Sequence, residues 1–144
     1  MKRYERTKIL VEGNPAVARK IAAQIEQEHS VEVLDEPHEE LVMVKVRESA
    51  KNSLFYLGEA LMCSCRVCLD DKAVGFGFAL GDKREKAYNL ALVDEAYSSD
   101  QIIPKTTWDV LIDKESERLR LKQQKEQIKI DRTKVDFSVM DSDD

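Results

Sequence analysis

The stretch covering residues 53–82 constrains the fold most, because it holds four of the chain's five glycines and all three of its cysteines. Near its end, bulky and small residues alternate. The bulky set is Val74, Phe76, Phe78 and Leu80, and the small set is Ala73, Gly75, Gly77 and Ala79. Because side chains alternate between the two faces of a strand, this pattern predicts a strand with one bulky face and one nearly bare face.

Glycine within a strand usually marks a place where another backbone or a ligand approaches closely. We therefore expect residues 53–82 to form a hairpin whose bulky face packs on the domain's own helices. We expect the bare face to admit a helix or another subunit, which makes Gly75 and Gly77 candidate residues of a subunit interface.

Three helices are predicted before position 100. A short one should cover residues 2–12, and the next should begin with Asn14 as its cap and Pro15 at the first helical position. A third should run from about residue 82 to 97, since Asp82 and Glu85 have the spacing of a capping box.

The strands point to an α+β fold. Val31 and Val33 suggest a short strand that ends at a turn around Pro37, and alternation over residues 42–46 suggests a second. With the two arms of the hairpin this makes roughly four strands. Their turn-length links predict a mainly antiparallel sheet packed against helices.

The chain beyond position 100 has a different character. An apolar patch around Trp108 should dock on the domain, whereas a helix over about 113–131 has too few apolar residues for a continuous stripe. After it, Val135, Phe137 and Val139 alternate like a strand. Such a tail can add a strand to a partner's sheet or fill a groove on it.

These patterns divide the chain into two parts. Residues 1–100 are predicted to form a single α+β core domain, and residues 101–144 a C-terminal helical arm with a short strand-like tail, bound to a partner. The candidate interface residues of the tail are Val135, Asp136, Phe137 and Met140.

Composition excludes several classes of function. The net charge is −5 and basic residues are interspersed with acidic ones, so we expect no nucleic-acid partner. No apolar run reaches about 18 residues, which predicts no membrane span. The N-terminus lacks the pattern of a signal peptide, so none is expected. Three cysteines within six positions fit a reducing compartment, and we expect a cytoplasmic protein.

The cysteines also suggest a metal or redox module built on Cys63, Cys65 and Cys68, because thiolates bind zinc and iron–sulfur clusters. On a strand, however, Cys63 and Cys65 share one face and Cys68 points to the other. We therefore expect packed thiols and no metal, and the metal or redox module is kept as an alternative.

Another alternative is a free-standing small enzyme acting on a phosphorylated compound. Glu59 or Asp94 would supply the acid–base group and Lys83 or Arg84 would clamp an anion, since a helix start attracts phosphate. Asp94 interrupts an apolar stripe, and pairing with a nearby cation is the simpler interpretation. The two histidines, His29 and His38, have no evident partner and are expected in exposed loops.

Several blocks of sequence together resemble one family, the G subunits of the bacterial carbon–phosphorus lyase core complex. The blocks are Phe55-Tyr56-Leu57-Gly58-Glu59-Ala60-Leu61, then Gly75-Phe76-Gly77 with Gly81, then Ala87 with Ala91, Leu92 and Asp94, and finally Thr133-Lys134-Val135-Asp136-Phe137 with Met140. The family commonly has a basic residue directly after the glycine at 81. Here Asp82 stands at that position, followed by Lys83 and Arg84.

The resemblance implies a subunit of an enzyme complex. Its partners are the H, I and J subunits with the L protein, and the complex is a transferase that makes an alkylphosphonate-ribose triphosphate from ATP and an alkylphosphonate, releasing adenine. The radical step, with S-adenosylmethionine and an iron–sulfur cluster, belongs to the J subunit. The resemblance implies no cofactor and no catalytic residue in this chain. Glu59, Lys83 and Arg84 are its candidate contacts to a phosphate or substrate.

Overall fold

In the described part of the chain, three antiparallel strands, neighbouring one another in chain order, form one sheet, and four helices accompany it. The computed structural model describes residues 1–70, 73–100 and 102–134. In chain order the elements are α1 (Arg3–Glu12), α2 (Pro15–Glu28), β1 (Val31–Arg47), β2 (Leu54–Leu69), β3 (Val74–Leu80), α3 (Arg84–Ser98) and α4 (Thr106–Thr133). The predicted α+β class and the β2–β3 hairpin are confirmed.

The expected four strands are wrong: the described part of the chain has three, because β1 runs without a break through Pro37. Proline lacks an amide hydrogen and is tolerated in a strand at a sheet edge or at a bulge. Pro37 meets both conditions. β1 is an edge strand, and its register with β2 shifts between Asp35 and His38.

The two faces of β3 are oriented opposite to the expectation. Gly75 and Gly77 face α3, and the bulky residues between them are exposed. A Cβ added at Gly77 would lie 1.8 Å from the carbonyl oxygen of Ala87, and one at Gly75 would lie 2.2 Å from that of Ala91. The helix backbone therefore packs directly on the strand backbone, which only glycine permits. The close approach predicted for the bare face is made by α3 of the same chain.

The helices lie on one side of the sheet. α3 contacts all three strands, and α2 packs on α3. The capping prediction for α2 is confirmed, since the Asn14 side chain accepts a hydrogen bond from the Ala16 amide at 3.0 Å and Pro15 opens the helix. The core consists of small and medium apolar side chains from α2, α3 and β2, among them Ile21, Ile25, Cys63, Cys65, Val67, Leu69, Ala87, Ala91 and Leu92.

The first turns of α4 dock on this core, as the apolar patch around the tryptophan predicts. Trp108 and Ile112 are buried, and the indole N–H of Trp108 donates to Gln24 at 2.7 Å. Glu115 accepts a hydrogen bond from the Asn14 amide at 2.8 Å and pairs with Arg118. The remainder of α4 is exposed. The strand-like tail, residues 135–144, lies outside the described part of the chain.

One end of the sheet extends beyond the domain as a two-stranded ribbon, formed by residues 41–47 of β1 and 54–61 of β2. β3 pairs with β2 only over residues 62–68, so no strand within the described ranges adds to the ribbon. At about 3.3 Å per residue it is roughly 20 Å long. A register shift opposite Val44 and Lys45 leaves Leu57 without a partner, as a bulge. No helix within the described ranges has the length and apolarity needed to cross a membrane.

Candidate functional site

A pocket of about 410 Å³ lies at the N-terminal end of α3, between that helix and α2. Lys83 and Arg84, both predicted as anion contacts, line it. Its complete lining is Pro15, Ala18, Arg19, Asp82, Lys83, Arg84, Glu85, Lys86 and Asn89. Four basic residues and two acidic ones give this pocket a formal charge of +2, in a chain whose net charge is −5.

The start of α3 differs from the predicted capping box. The cap residue is Lys83 and makes no side-chain capping bond, while Asp82 lies one position earlier and faces Arg84 at 3.5 Å. The first amides of a helix have no partner inside the helix. Across the described residues, no side chain accepts from the amides of Arg84, Glu85 or Lys86.

The charged groups around the pocket are only partly neutralised. Arg19 pairs with Glu85 at 2.9 Å, and the ammonium group of Lys86 donates to the Val11 carbonyl oxygen at 2.6 Å. Lys83 makes no ion pair with any described residue. Burial, and then the neighbouring Lys83 charge, lowers the pKa of Lys86. Arg84 lies 3.8 Å from Glu39 as well as 3.5 Å from Asp82. The positive charge of the pocket that no described carboxylate neutralises is therefore that of Lys83 and Lys86.

Glu59, the third predicted contact, does not line this pocket. It lies on the ribbon opposite Met43 and makes no salt bridge or side-chain hydrogen bond to a described residue. The Gly81 amide donates to the Leu61 carbonyl oxygen at 2.8 Å, so the turn before α3 lies two residues from Glu59 along β2. The structure brings Lys83 and Arg84 together but leaves Glu59 outside their pocket.

Asp94 pairs with a cation, as the simpler of the two interpretations of its position predicts. Both of its oxygens accept from the Arg3 guanidinium, at 2.8 and 2.6 Å, and one also accepts from the Phe76 amide at 3.0 Å. The carboxylate therefore ties α1 and α3 to the edge of β3. Three hydrogen bonds occupy it, which does not suit a general acid or base that must exchange a proton with substrate.

The outward side of β3 forms an apolar surface, here called the uncovered face and defined by Val74, Phe76, Phe78 and Leu80. All four are exposed, and Phe78 is 48% exposed. Beyond the domain, the ribbon exposes further large apolar side chains, which are distributed over both of its faces: Leu41, Met43, Leu54, Phe55, Tyr56, Leu57 and Leu61. Exposed large apolar side chains clustered in this way are typical of protein–protein interfaces.

The histidines are better connected than the sequence suggests. His29 lies 2.6 Å from Asp70, so the prediction of a histidine without a partner is wrong there. His38 Nε2 lies 3.4 Å from the Ser64 hydroxyl oxygen, and His38 Nδ1 lies 2.9 Å from the Glu36 carbonyl oxygen. The Ser64 distance exceeds a productive nucleophile–base contact, and β2 is paired on both sides, so its amides are not free for an oxyanion hole.

The thiols are divided between the two faces of the sheet, as predicted. Cys63 and Cys65 are buried beneath α3, and Cys68 lies on the other side, paired with Val74. Burial, with a smaller contribution from Glu36 and Asp35, raises the pKa of Cys65 to about 11. A thiol with such a pKa is almost wholly protonated at neutral pH, which disfavours a redox or ligand role for Cys65.

Two notable side chains of α3 were missed from the sequence. Asn89 is only 8% exposed and lines the pocket, and Glu95 is completely buried behind Gly75. Burial raises the pKa of Glu95, although backbone groups of Leu69 and Ala73 oppose the shift, and neither carboxylate oxygen makes a hydrogen bond of normal geometry. The sequence signal for both residues is a polar side chain within the apolar part of a helix, the same signal that Asp94 gives.

These features define a class: a small α+β protein whose helices cover one side of a three-stranded antiparallel sheet, and whose first two strands extend beyond the domain as a ribbon with exposed apolar side chains. Within that class the family is clear. Residues 1–141 match the family described as phosphonate metabolism protein PhnG, and the chain belongs to that family. The resemblance noted from the sequence blocks is thereby confirmed. No curated protein matches the chain significantly.

Proposed function

We propose that this chain is a non-catalytic subunit of the carbon–phosphorus lyase core complex, assembled with the H, I and J subunits and the L protein. In this role it supports formation of an alkylphosphonate-ribose triphosphate from ATP and an alkylphosphonate, with release of adenine. Membership of a phosphonate metabolism family supports the pathway. Cofactor chemistry, with S-adenosylmethionine and an iron–sulfur cluster, is assigned to the J subunit.

The single observation that carries the proposal is the apolar ribbon. A two-stranded hairpin is marginally stable in water on its own, and this one exposes large apolar residues that none of the described helices or strands covers. Leu57, at the bulge, is 63% exposed. Burying apolar surface contributes about 25 cal/mol per Å², so covering the ribbon and the uncovered face on a partner subunit would stabilise an assembly substantially.

The acid–base candidates support a subunit more than an independent enzyme. Asp94 is occupied by Arg3 and the Phe76 amide, and Glu59 is isolated on the ribbon. A general acid–base residue works together with groups that orient it and with a place for substrate. Neither carboxylate lies with Lys83 and Arg84 in the pocket.

The test is assembly of the full chain with its proposed partners. Co-expression with the H, I and J subunits should give one complex by affinity purification and mass measurement. Leu57→Glu should remove this chain from the complex. Ile103→Glu is the matched control, since Ile103 is 89% exposed and lies outside the ribbon. Normal assembly of the Leu57 variant, with its fold intact, would refute the ribbon as the contact.

The complex should also release adenine from ATP in the presence of methylphosphonate and the L protein, and omission of this chain should abolish that release. The tail residues Val135, Asp136, Phe137 and Met140 remain proposed as a second contact. Deletion from Asp131 onward tests them, because unchanged co-purification of the shortened chain would remove them from the interface.

A further inference from the structure

The pocket between α2 and α3 has features that the proposed function leaves unused. The amides of Arg84, Glu85 and Lys86 open a helix of 15 residues without a side-chain cap. Aligned peptide dipoles concentrate positive potential at such an end, and its free N–H groups point along the axis. A helix start alone is common and does not by itself define an anion site.

Asn89 adds a second, independent feature to this helix start. It lies one turn further along α3, is only 8% exposed and lines the pocket. Its side-chain amide makes no hydrogen bond with any described residue, although buried polar side chains nearly always have a partner. Its polar atoms are not fully enclosed, since Asn89 is absent from the buried atoms that lack a partner. A polar group held this way can contact a ligand in the pocket.

The charges around the pocket favour a negatively charged ligand. The ammonium group of Lys83 makes no ion pair with a described residue, and it lies near enough to Lys86 for their charges to interact. The two acidic side chains of the pocket are turned to cations, Glu85 to Arg19 at 2.9 Å and Asp82 to Arg84 at 3.5 Å. An anion at the helix start would face Lys83, the free amides and the Asn89 side-chain N–H₂.

We infer that this pocket binds a phosphoryl or phosphono group, held by the first amides of α3, by Lys83 and by Asn89. Tetrahedral oxyanions are favoured because several oxygens can accept from the amides and side chains at once. The inference of an anion site depends only on the geometry of the pocket. The choice of phosphate, polyphosphate and phosphonate as candidate groups rests on the proposed function, since the proposed reaction involves a triphosphate and a phosphonate.

The experiment is a titration of the full-length chain, labelled with ¹⁵N, followed by two-dimensional NMR. Inorganic phosphate, methylphosphonate and tripolyphosphate are the three ligands, and sodium chloride at equal ionic strength is the reference. We expect saturable shifts of the Arg84–Lys86 amides and of the Asn89 side-chain N–H₂. The ligand that binds most tightly identifies the source of the group. Chloride producing the same shifts, or no saturable shift, would overturn the inference.

Two variants separate the pocket from general charge. Asn89→Asp replaces a donor with a negative charge at nearly constant shape, and it should weaken binding by at least about tenfold. Lys83→Ala should weaken it by about fivefold. Lys122→Ala, which removes an exposed charge far along α4, is the control and should leave affinity unchanged. Equal affinity in wild type and both pocket variants, each with a dispersed spectrum, refutes the assignment.

Failure here is distinguishable from failure of the proposed function. If the chain assembles with its partners and supports adenine release but binds none of the three anions, only the anion-site inference is refuted. If the chain binds phosphate but does not assemble, only the proposed role as a subunit is refuted.

Discussion

The contact between β3 and α3 allows one sharp test of the fold, the substitution Gly77→Ala. A Cβ at this position would lie 1.8 Å from the Ala87 carbonyl oxygen and 2.7 Å from the Ala91 amide nitrogen, and real Cβ contacts essentially never fall under 3.0 Å. Both neighbours are backbone atoms, so no side-chain rotation relieves the clash. The helix must move off the sheet by about 1 Å, which opens the core packing that surrounds it.

Overpacking a core costs about 1–3 kcal/mol, and a clash with backbone belongs at the upper end. We expect Gly77→Ala to lower the free energy of unfolding by about 3 kcal/mol. With a urea m-value of about 2 kcal/mol/M, the midpoint should fall by about 1.5 M. The fluorescence of Trp108, the only tryptophan and a buried one, reports the transition.

Two other glycines serve as controls for that experiment. Gly58 has no atom within 4 Å of an added Cβ, so Gly58→Ala should be neutral or stabilising by about 0.5 kcal/mol. Gly81 has equal space but a φ of +81°, so Gly81→Ala isolates a backbone cost of about 1 kcal/mol. A Gly77→Ala midpoint within error of the Gly58→Ala midpoint would falsify the close-packing argument.

Three further predictions concern individual side chains. Glu95 has a raised pKa, so its charged form destabilises the fold above the folded-state pKa, and this penalty fades as pH falls toward the unfolded value of about 4.3. Glu95→Gln should therefore stabilise the chain by about 1 kcal/mol in urea at pH 7 and lose that advantage near pH 4, whereas lower stability at both pH values contradicts this. Asp94→Ala should cost about 2 kcal/mol, because the Phe76 amide loses its acceptor, and Asp94→Asn should cost less in the same urea assay; equal losses would discount the amide contact. Cys65 should react with iodoacetamide at pH 7 only after unfolding, as peptide mapping by mass spectrometry can show, and rapid labelling of the native chain would contradict its burial.

Much of the fold follows from local patterns. The cap at Asn14, the proline at the first helical position and the docking of Trp108 each depend on residues close in sequence or on one strongly apolar patch. The strand count could not be obtained in this way. Whether Pro37 ends a strand depends on its lying at a sheet edge, and that is decided by the order of strands in space.

The orientation of β3 required knowledge of its neighbour. The alternation of bulky and small residues correctly separated the two faces of β3. The bulky face is expected in the core because large side chains bury more apolar surface. In this fold the short distance between helix and strand determines the orientation instead, because the α3 backbone can contact β3 only over Gly75 and Gly77. Similarly, Lys83 and Arg84 could be chosen from sequence, and Asn89 follows them on the same helix, whereas Arg19 joins the pocket only through the packing of α2 on α3.

The same β3–α3 contact links the two proposed surfaces. Seating α3 on the two glycines directs Phe76 and Phe78 outward and fixes the helix start beside α2, where the pocket forms. Gly77→Ala should therefore weaken both assembly and anion binding, measured at a temperature where the variant remains folded. Leu57→Glu should weaken assembly alone, and Lys83→Ala anion binding alone. If Gly77→Ala, while folded, left both properties at wild-type levels, the uncovered face and the pocket would not depend on the seating of this helix.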